Sequence, residues 1–342
     1  MPTPQLSSRA QVGILLINTG SPDAPTPIAV KRYLAEFLGD QRVVELPRWK
    51  WWPILHGIIL QVRPKQSAKR YQGVWTQNGS PLIYICQQMA AKLEKSLQDE
   101  RVRVFSAMCY GHPSVREAMD EMRQEGIKKI LVLPLFAQYS AHTTGSCLDS
   151  VFRVCLASRD IPELRTVHDY HMDPLYIQAL KTHIEQYWKQ FGRPFESGGK
   201  LILSFHGIPA ASITKGDPYR SHCEKTAEAL ATSLGLSAEQ WAMAFQSRFG
   251  REEWLQPYTR PYVEALAEQG IRRIDVFCPG FSADCLETLE EINDELRHAY
   301  LDHLPKDTSG EFHYIPAIND STEAIAAYRA IVEKHLQGWL KG

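Results

Sequence analysis

His206 closes an apolar run, Leu203-Ser204-Phe205-His206, and a Gly207-Ile208-Pro209 turn follows it. A neutral imidazole at such a strand end can bind a metal or accept a proton near neutral pH. It can equally be a histidine that is merely hydrogen-bonded at a strand terminus. Farther along, Asp284, Glu287 and Glu291 recur at i, i+3 and i+7, and Asp294 and His298 continue the row. That spacing predicts one face of a helix. Acidic rows of this kind are commonly solvated faces. This one starts directly after Pro279-Gly280-Phe281, at the end of another apolar run, and a helix dipole favours carboxylates in the first turn. A row of carboxylates leading to a histidine suits passage of a divalent cation or of protons, although oxygen and nitrogen donors alone do not select the metal.

A third segment is aromatic. Trp49, Trp51 and Trp52 fall within four residues, with Ile54 and Leu55 next, and Arg63, Lys65, Lys69 and Arg70 beyond. One reading is a helix packed into the core. The other is an amphipathic lip over residues 46–62, with tryptophans at a membrane interface and cations facing headgroups. The same lip could hold a flat apolar ligand.

These groups need a frame. Val12–Asn18, Val102–Met108, Ile130–Phe136, Leu201–Phe205, Ala242–Phe245 and Ile274–Cys278 are short apolar runs of buried-strand type. Helical periodicity lies between them, as in Ser114–Gln124 and Pro261–Glu268, with longer helices over Tyr176–Gln190 and Ser321–Leu340. Such alternation predicts parallel sheets covered by helices on both faces. The chain also repeats. Residues 126–134 resemble 270–279, residues 102–111 align with 241–250, and residues 13–18 align with 201–206, all in the same order. Two copies of one α/β unit are therefore expected. Ligands bind beyond the carboxyl ends of strands in such sheets, and a cleft between the copies is the expected site. The first copy ends its opening strand in Asn18, the second in His206, so the titratable groups gather in the second half.

Composition narrows the class. The 342 residues carry 38 Lys plus Arg and 39 Asp plus Glu, a formal net charge of −1. That balance argues against a nucleic-acid binder. With 44% hydrophobic and 23% charged residues the chain is expected to fold, in two domains at roughly 150 residues each. No apolar run approaches the roughly 20 residues of a membrane span, and the polar stretch Met1–Gln11 lacks an apolar signal core. A cytoplasmic protein is expected. The seven cysteines, Cys86, Cys109, Cys147, Cys155, Cys223, Cys278 and Cys285, have no close ligand spacing. They suggest small buried side chains rather than a disulfide framework or a zinc site. The phosphate-loop and dinucleotide glycine signatures are absent, as is G-x-S-x-G.

Taken together, the motifs resemble the ferrochelatase family. They are Leu16–Pro22, Ala68–Tyr71 through Gly79–Pro81, Tyr110–Pro113, Gln138–Gly145, Ser204–Pro209, Gly216–Tyr219, Gln246–Gly250 and Pro279–Ile292. The Asp-Cys-Leu-Glu-Thr-Leu-Glu-Glu form, Asp284–Glu291, looks like the Gram-negative bacterial version. The resemblance implies two similar Rossmann-like domains, each a parallel sheet flanked by helices, with a cleft between them. The domains would span residues 9–172 and 173–320, and a C-terminal helix, 321–342, would pack back across both. It implies insertion of Fe²⁺ into protoporphyrin IX. The alternatives are another tetrapyrrole chelatase or a non-catalytic tetrapyrrole carrier. His206 and Glu287 match the catalytic and metal-binding pair, and Asp284 and Glu291 match the acidic path behind it. Tyr110 matches an aromatic of the porphyrin pocket, whose wall is also expected to include Asn18, Tyr33, Phe136, Tyr139 and Ser204. Two departures stand out: Cys109 where some members have Arg, and Cys285 where some have His. Ala141 stands at the internal cysteine of the animal [2Fe–2S] cluster, and no Cys follows Cys285, so no such cluster is expected. The lip residues Trp49, Trp51, Trp52, Ile54 and Leu55 leave a peripheral contact with the cytoplasmic face of the inner membrane as a further expectation.

Overall fold

A computed structural model of the chain describes residues 10–250 and 252–340. The extreme N-terminus and the last two residues of the expected C-terminal segment lie outside the described residues. Two compact units are present. One takes in the described residues of Met1–Leu135, Ala141–His168 and Ile325–Gly342, and the other Phe136–Ser140 and Asp169–Ala324.

In the first unit, β1 (Val12–Gly20), β2 (Val102–Tyr110), β3 (Lys129–Pro134) and β4 (Glu163–Thr166) form a parallel sheet in the order β2-β1-β3-β4. β1 is central, and Val12–Ile17 is buried throughout. A strand covered on both faces has no reason to alternate polar and apolar residues, which is why VGILLIN reads as one unbroken apolar run. In the second unit, β5 (Lys200–His206), β6 (Trp241–Gln246), β7 (Arg273–Phe277) and β8 (Glu311–Ile315) form a parallel sheet in the order β6-β5-β7-β8. The two orders are identical after a shift of four strands, as the internal similarity predicts. β4 and β8 escape a sequence reading. The first is a four-residue, largely solvated edge with Glu163 and Arg165, and the second alternates Glu311, Phe312, His313, Tyr314. Neither makes an apolar run.

Helices flank each sheet. Val115–Gln124 opens on a capping box: the Ser114 hydroxyl accepts from the Glu117 N–H, and the Ser114 N–H donates to the Glu117 carboxylate at 2.7 Å. The C-terminal helix, Thr322–Leu336, leads back to the edge of the first sheet. There the Arg165 guanidinium donates to the carbonyls of His335 (2.6 Å) and Gln337 (2.8 Å) and lies over the Trp339 ring. The Trp339 indole N–H donates to Glu163 at 2.6 Å. In the second unit, Ile202, Val263, Ile274, Val276, Ile292, Tyr300 and Phe312 pack as one core, which joins the sheet to the helical segment that follows β7.

The strand ends in the first unit come close enough to demand glycine. Gly20 has φ +116°, and a Cβ there would meet the Tyr110 carbonyl at 1.9 Å. Gly111 has φ +80°, with the Ser21 carbonyl 2.7 Å from its would-be Cβ. These left-handed conformations cost a residue with a side chain roughly 1–2 kcal/mol before any clash.

Candidate active site

His206 is the last residue of β5, and its partner across the ladder is Gln246, the last residue of β6. The pairing continues through Gly207, whose N–H donates to the Gln246 carbonyl at 2.8 Å. A Cβ at Gly207 would stand 2.9 Å from that carbonyl and 3.1 Å from the Trp254 ring. The imidazole is half-buried, with the Trp254 and Phe281 rings centred 6.3 and 6.4 Å away. Its Nδ1 lies 2.6 Å from the Gly207 carbonyl. A carbonyl only accepts, so Nδ1 carries the hydrogen and the neutral ring keeps its lone pair on Nε2. The Tyr219 hydroxyl donates to the His206 carbonyl at 2.9 Å and fixes the backbone beneath the ring.

The carboxylates come from the segment after β7. The expected α-helical row is instead a π-helix over Glu287–Leu296, a wider winding that turns up frequently at functional sites. Asp284 precedes it and so lies off the helical stripe. It is buried, and its carboxylate accepts from the Tyr314 and Thr288 hydroxyls, the Ala317 N–H and the Asn319 amide. With both oxygens engaged, Asp284 is held at the entry to the π-helix. Asp294 and His298, at the far end, are exposed and bonded to each other. Glu287 and Glu291 remain, both half-buried. The Ser247 N–H donates to Glu291 Oε1 at 2.7 Å, and the Ser247 hydroxyl donates to Oε2. Ser247 adopts φ 65°, a costly conformation for a residue with a side chain, and it aims both donors at one carboxylate. Burial nevertheless raises the Glu291 pKa above the ordinary carboxylate range. The Ser247 hydrogen bond and the nearby His206 pull it down, and Glu287 pushes it up. Glu291 therefore senses both His206 and Glu287.

The remaining expected residues fall into two sets, one in each unit. Ser204 is fully buried, and its hydroxyl lies 2.7 Å from Gln246 Oε1 and 2.8 Å from Thr259 Oγ1, so it supports the strand instead of facing a ligand. Phe136 and Tyr139 are half-buried in the short segment that groups with the second unit, and the Tyr139 N–H donates to His222 Nδ1. In the first unit Asn18 is buried, with its amide N–H directed at Cys86 Sγ and its carbonyl oxygen accepting from the Thr19 N–H. The Tyr33 hydroxyl donates to the Gly20 carbonyl, and the Tyr110 hydroxyl donates to Asp40 at 2.8 Å. Burial raises the Tyr110 pKa, so that phenol stays protonated. Beside it a cavity of about 870 Å³ is lined by Asp40, Arg42, Arg48, Cys109, Tyr110 and Arg153, among others.

The aromatic segment needs a correction. Trp51 is buried and donates its indole N–H to the Leu38 carbonyl at 2.6 Å, and Leu55 is completely buried. Both belong to the core, because the helix Arg48–Ile54 and the π-turn Leu55–Ile59 turn one face inward. Trp49 (74% exposed), Trp52, Ile54, Ile58 and Val62 form the outward face.

Comparisons with known proteins bear directly on this arrangement. The ferrochelatase family profile matches residues 11–336. The chain belongs to the ferrochelatase family. A ferrochelatase of Methylibium petroleiphilum is 51% identical over 95% of this chain and 88% of its own length. One of Marinobacter nauticus is 48% identical over 96% and 88%. Among solved structures, SirB from Bacillus subtilis with Fe³⁺ superposes with a TM-score of 0.54 at 13% identity, covering 96% of this chain and 97% of that one. The cobalt complex of the sirohydrochlorin chelatase SirB from Bacillus subtilis subspecies spizizenii gives 0.51 at 12% identity, covering 95% of each chain. At such identity these two likenesses concern the fold alone, the two-sheet α/β chelatase architecture.

Against that family background, two departures acquire surroundings. Burial, with the Glu287 carboxylate beside it, pushes the Cys285 thiol well above its ordinary range, so a neutral thiol stands where some members carry a titratable imidazole. Cys109 lies half-buried against the cavity wall. A separate group, Asp169, His171 and His222, has donor atoms within 4.8 Å of one another. Its two rings, however, stack face to face at 3.7 Å and 9°. In-plane lone pairs on parallel rings do not converge on one ion.

Sequence reasoning assigned no role to Gln246 or Ser247. Gln246 is buried, and its Nε2 donates to the Glu287 carbonyl at 3.2 Å while its Oε1 accepts from Ser204 and Cys278. It thus ties β5, β6 and the residue after β7 to the start of the π-helix. The available signal was a polar residue closing a strand whose other inner positions are apolar. Gln246→Leu is expected to destabilise the protein by about 1–3 kcal/mol, since it strands buried partners. Urea denaturation checks this, and an unchanged midpoint would count against the tie.

Proposed function

We infer that the protein is an enzyme that inserts Fe²⁺ into protoporphyrin IX to form protohaem, and that His206 and Glu287 are its catalytic pair. The observation that supports this most directly is the joint placement of His206, with its Nε2 lone pair available, and of the half-buried Glu291, on whose carboxylate both His206 and Glu287 act. Insertion has three demands. Two pyrrole N–H protons must leave, the incoming ion must shed water, and the macrocycle must be held and bent. A neutral imidazole is suited to the first, because its ordinary pKa is about 6.5. Carboxylate oxygens on Glu287 and Glu291 are suited to the second, exchanging with the water of a hard divalent ion. Rigid aromatic walls answer the third, since binding energy from remote ring edges can be used for distortion. Asn18, Tyr33, Tyr110, Phe136 and Tyr139 are the porphyrin-wall residues in this reading. Asp284 and Ser204 act through the scaffold. A non-catalytic carrier would have no use for Ser247 held in a left-handed conformation to orient Glu291.

His206→Ala and Glu287→Gln are expected to lose insertion by ~10²–10⁴-fold, yet still quench protoporphyrin fluorescence on binding. Near-normal insertion by both variants would defeat the assignment. The pH profile supplies a separate check. Because burial raises the Glu291 pKa, this group takes up its proton at higher pH than an exposed glutamate does. Activity that needs the carboxylate is therefore lost early on the acid side. Ser247→Ala removes a hydrogen bond that lowers that pKa, so the acid limb of the rate profile should move to still higher pH. An unmoved limb would mean that Glu291 does not titrate in the rate-limiting step.

A peripheral membrane contact is supported by the outward row Trp49, Trp52, Ile54, Ile58 and Val62, with Arg48 and Lys50 over the Trp52 and Trp49 rings. Tryptophan with adjacent cations suits the headgroup region. No helix among the described residues is long and apolar enough to cross a membrane, so any contact would be with the surface. Replacing Trp49, Trp52 and Ile58 with Ser should lower co-sedimentation with anionic liposomes at unchanged fold. Equal sedimentation would return the segment to a purely structural role.

A further inference from the structure

Two of the seven cysteines stand apart from the others. Cys109, the penultimate residue of β2, and Cys147, in the first turn of the helix Ser146–Leu156, have their sulfurs 2.8 Å apart. That is closer than two thiols rest without bonding, and only roughly 0.8 Å longer than the about 2.05 Å of a disulfide. By contrast, Cys86 and Cys278 face the side chains of Asn18 and Gln246. The two members of the pair also differ in access. Cys147 is completely buried, whereas Cys109 is half-buried and lines the cavity beside Tyr110.

We propose that Cys109 and Cys147 form a redox-active dithiol that closes to a disulfide on exposure to peroxide, with Cys109 meeting the oxidant and Cys147 resolving it. Access sets the order, since a peroxide can reach the cavity wall but not the core. In the first step the Cys109 sulfur uses an electron pair to break the O–O bond of hydrogen peroxide. Cys109 becomes a sulfenic acid, and one water leaves. In the second step the Cys147 sulfur attacks the Cys109 sulfur. The S–S bond forms, the S–O bond breaks, and hydroxide leaves with the thiol proton as a second water. Two thiols are oxidised by two electrons, and the peroxide is reduced to two waters. A dithiol reductant reverses the bond by exchange. The required movement is below 1 Å and falls next to Tyr110, whose hydroxyl holds Asp40, so the new bond ties the cavity wall to the helix behind it.

The test uses the full chain and hydrogen peroxide, followed by alkylation and peptide mass mapping without reductant. The expected result is a Cys109–Cys147 linked peptide, lighter than the two thiol peptides by two hydrogens and abolished by dithiothreitol, with both thiols lost to alkylation together. In Cys147→Ser, Cys109 should persist as a sulfenic acid that dimedone labels. In Cys109→Ser, Cys147 should remain alkylatable after unfolding. Three results would overturn the proposal: both thiols surviving peroxide in the parent protein, a link from either cysteine to a different one, or an unlabelled Cys109 in the Cys147 variant. The mapping of the parent protein requires no variant to fold.

Discussion

One side-chain amide carries much of the second unit's geometry. Parallel strands deliver their last residues to one edge of the sheet, but backbone pairing stops there, and nothing in the ladder dictates what the next helix does. Gln246 bridges that gap. Its amide donates to the carbonyl of Glu287 and accepts from Ser204 and Cys278, so the end of β6, the interior of β5 and the start of the π-helix move as one body. Inside a low-dielectric core an unpaired amide is costly, and that cost keeps all of these partners in register. His206 is Gln246's neighbour across the ladder, and Ser247 is its neighbour along the chain. The imidazole, the orienting donors and the carboxylate they hold are thus all placed by groups bonded to, or adjacent to, one residue.

The acidic residues of the second unit show that sequence neighbours can meet very different fates. Asp284 is enclosed by four donors, Glu287 and Glu291 lie half-buried, Glu291 within reach of the His206 charge, and Asp294 is solvated. Burial prevails in the competition at Glu291, where the pKa rises despite two bonds from Ser247. The same balance holds at Asp275 on β7. Its ion pair with Arg273 at 3.0 Å and a bond from the Trp188 indole do not outweigh desolvation, and its pKa is also raised. Removing a carboxylate from water costs several kcal/mol, and one partner seldom returns all of it. Asp275 is locked inside its unit among structural partners. Glu291 keeps partial access, and that access separates a site from a scaffold.

The two units share strand order and differ in what their strand ends carry. In the first, β1 ends in Gly20 and β2 in Tyr110, with Gly111 next, and the Tyr110 and Ser21 carbonyls press close on the two glycines. In the second, β5 and β6 end in His206 and Gln246. A frame built from buried aliphatic strands tolerates either set, because its stability lies in the apolar interior and the strand ends are free to vary. Hydroxyls and glycines make a surface that shapes a cavity, and an imidazole with carboxylates makes one whose chemistry suits protons and ions.

The central strands, the repeat and the candidacy of His206, Glu287 and Glu291 were legible from the chain alone. Unbroken apolar runs can only be buried strands or short buried helices, and a histidine closing such a run stands out. Edge strands β4 and β8 were not legible, because a half-solvated edge has no compositional signature. Nor were the π-helix, the burial of Trp51 and Leu55, or the separation of Asp284 from its acidic neighbours. Each of these depends on which side of a segment meets another element, and spacing along a chain does not specify that. Gln246 and Ser247 had no legible role for the same reason. The sequence by itself determined the α/β class, the duplicated order and the chemical inventory, since hydrophobic periodicity and residue type are local properties. Only the tertiary structure decided which carboxylate is locked, which is shared with the imidazole, and which thiols touch, because burial and hydrogen-bond partners are supplied by residues far away in the chain.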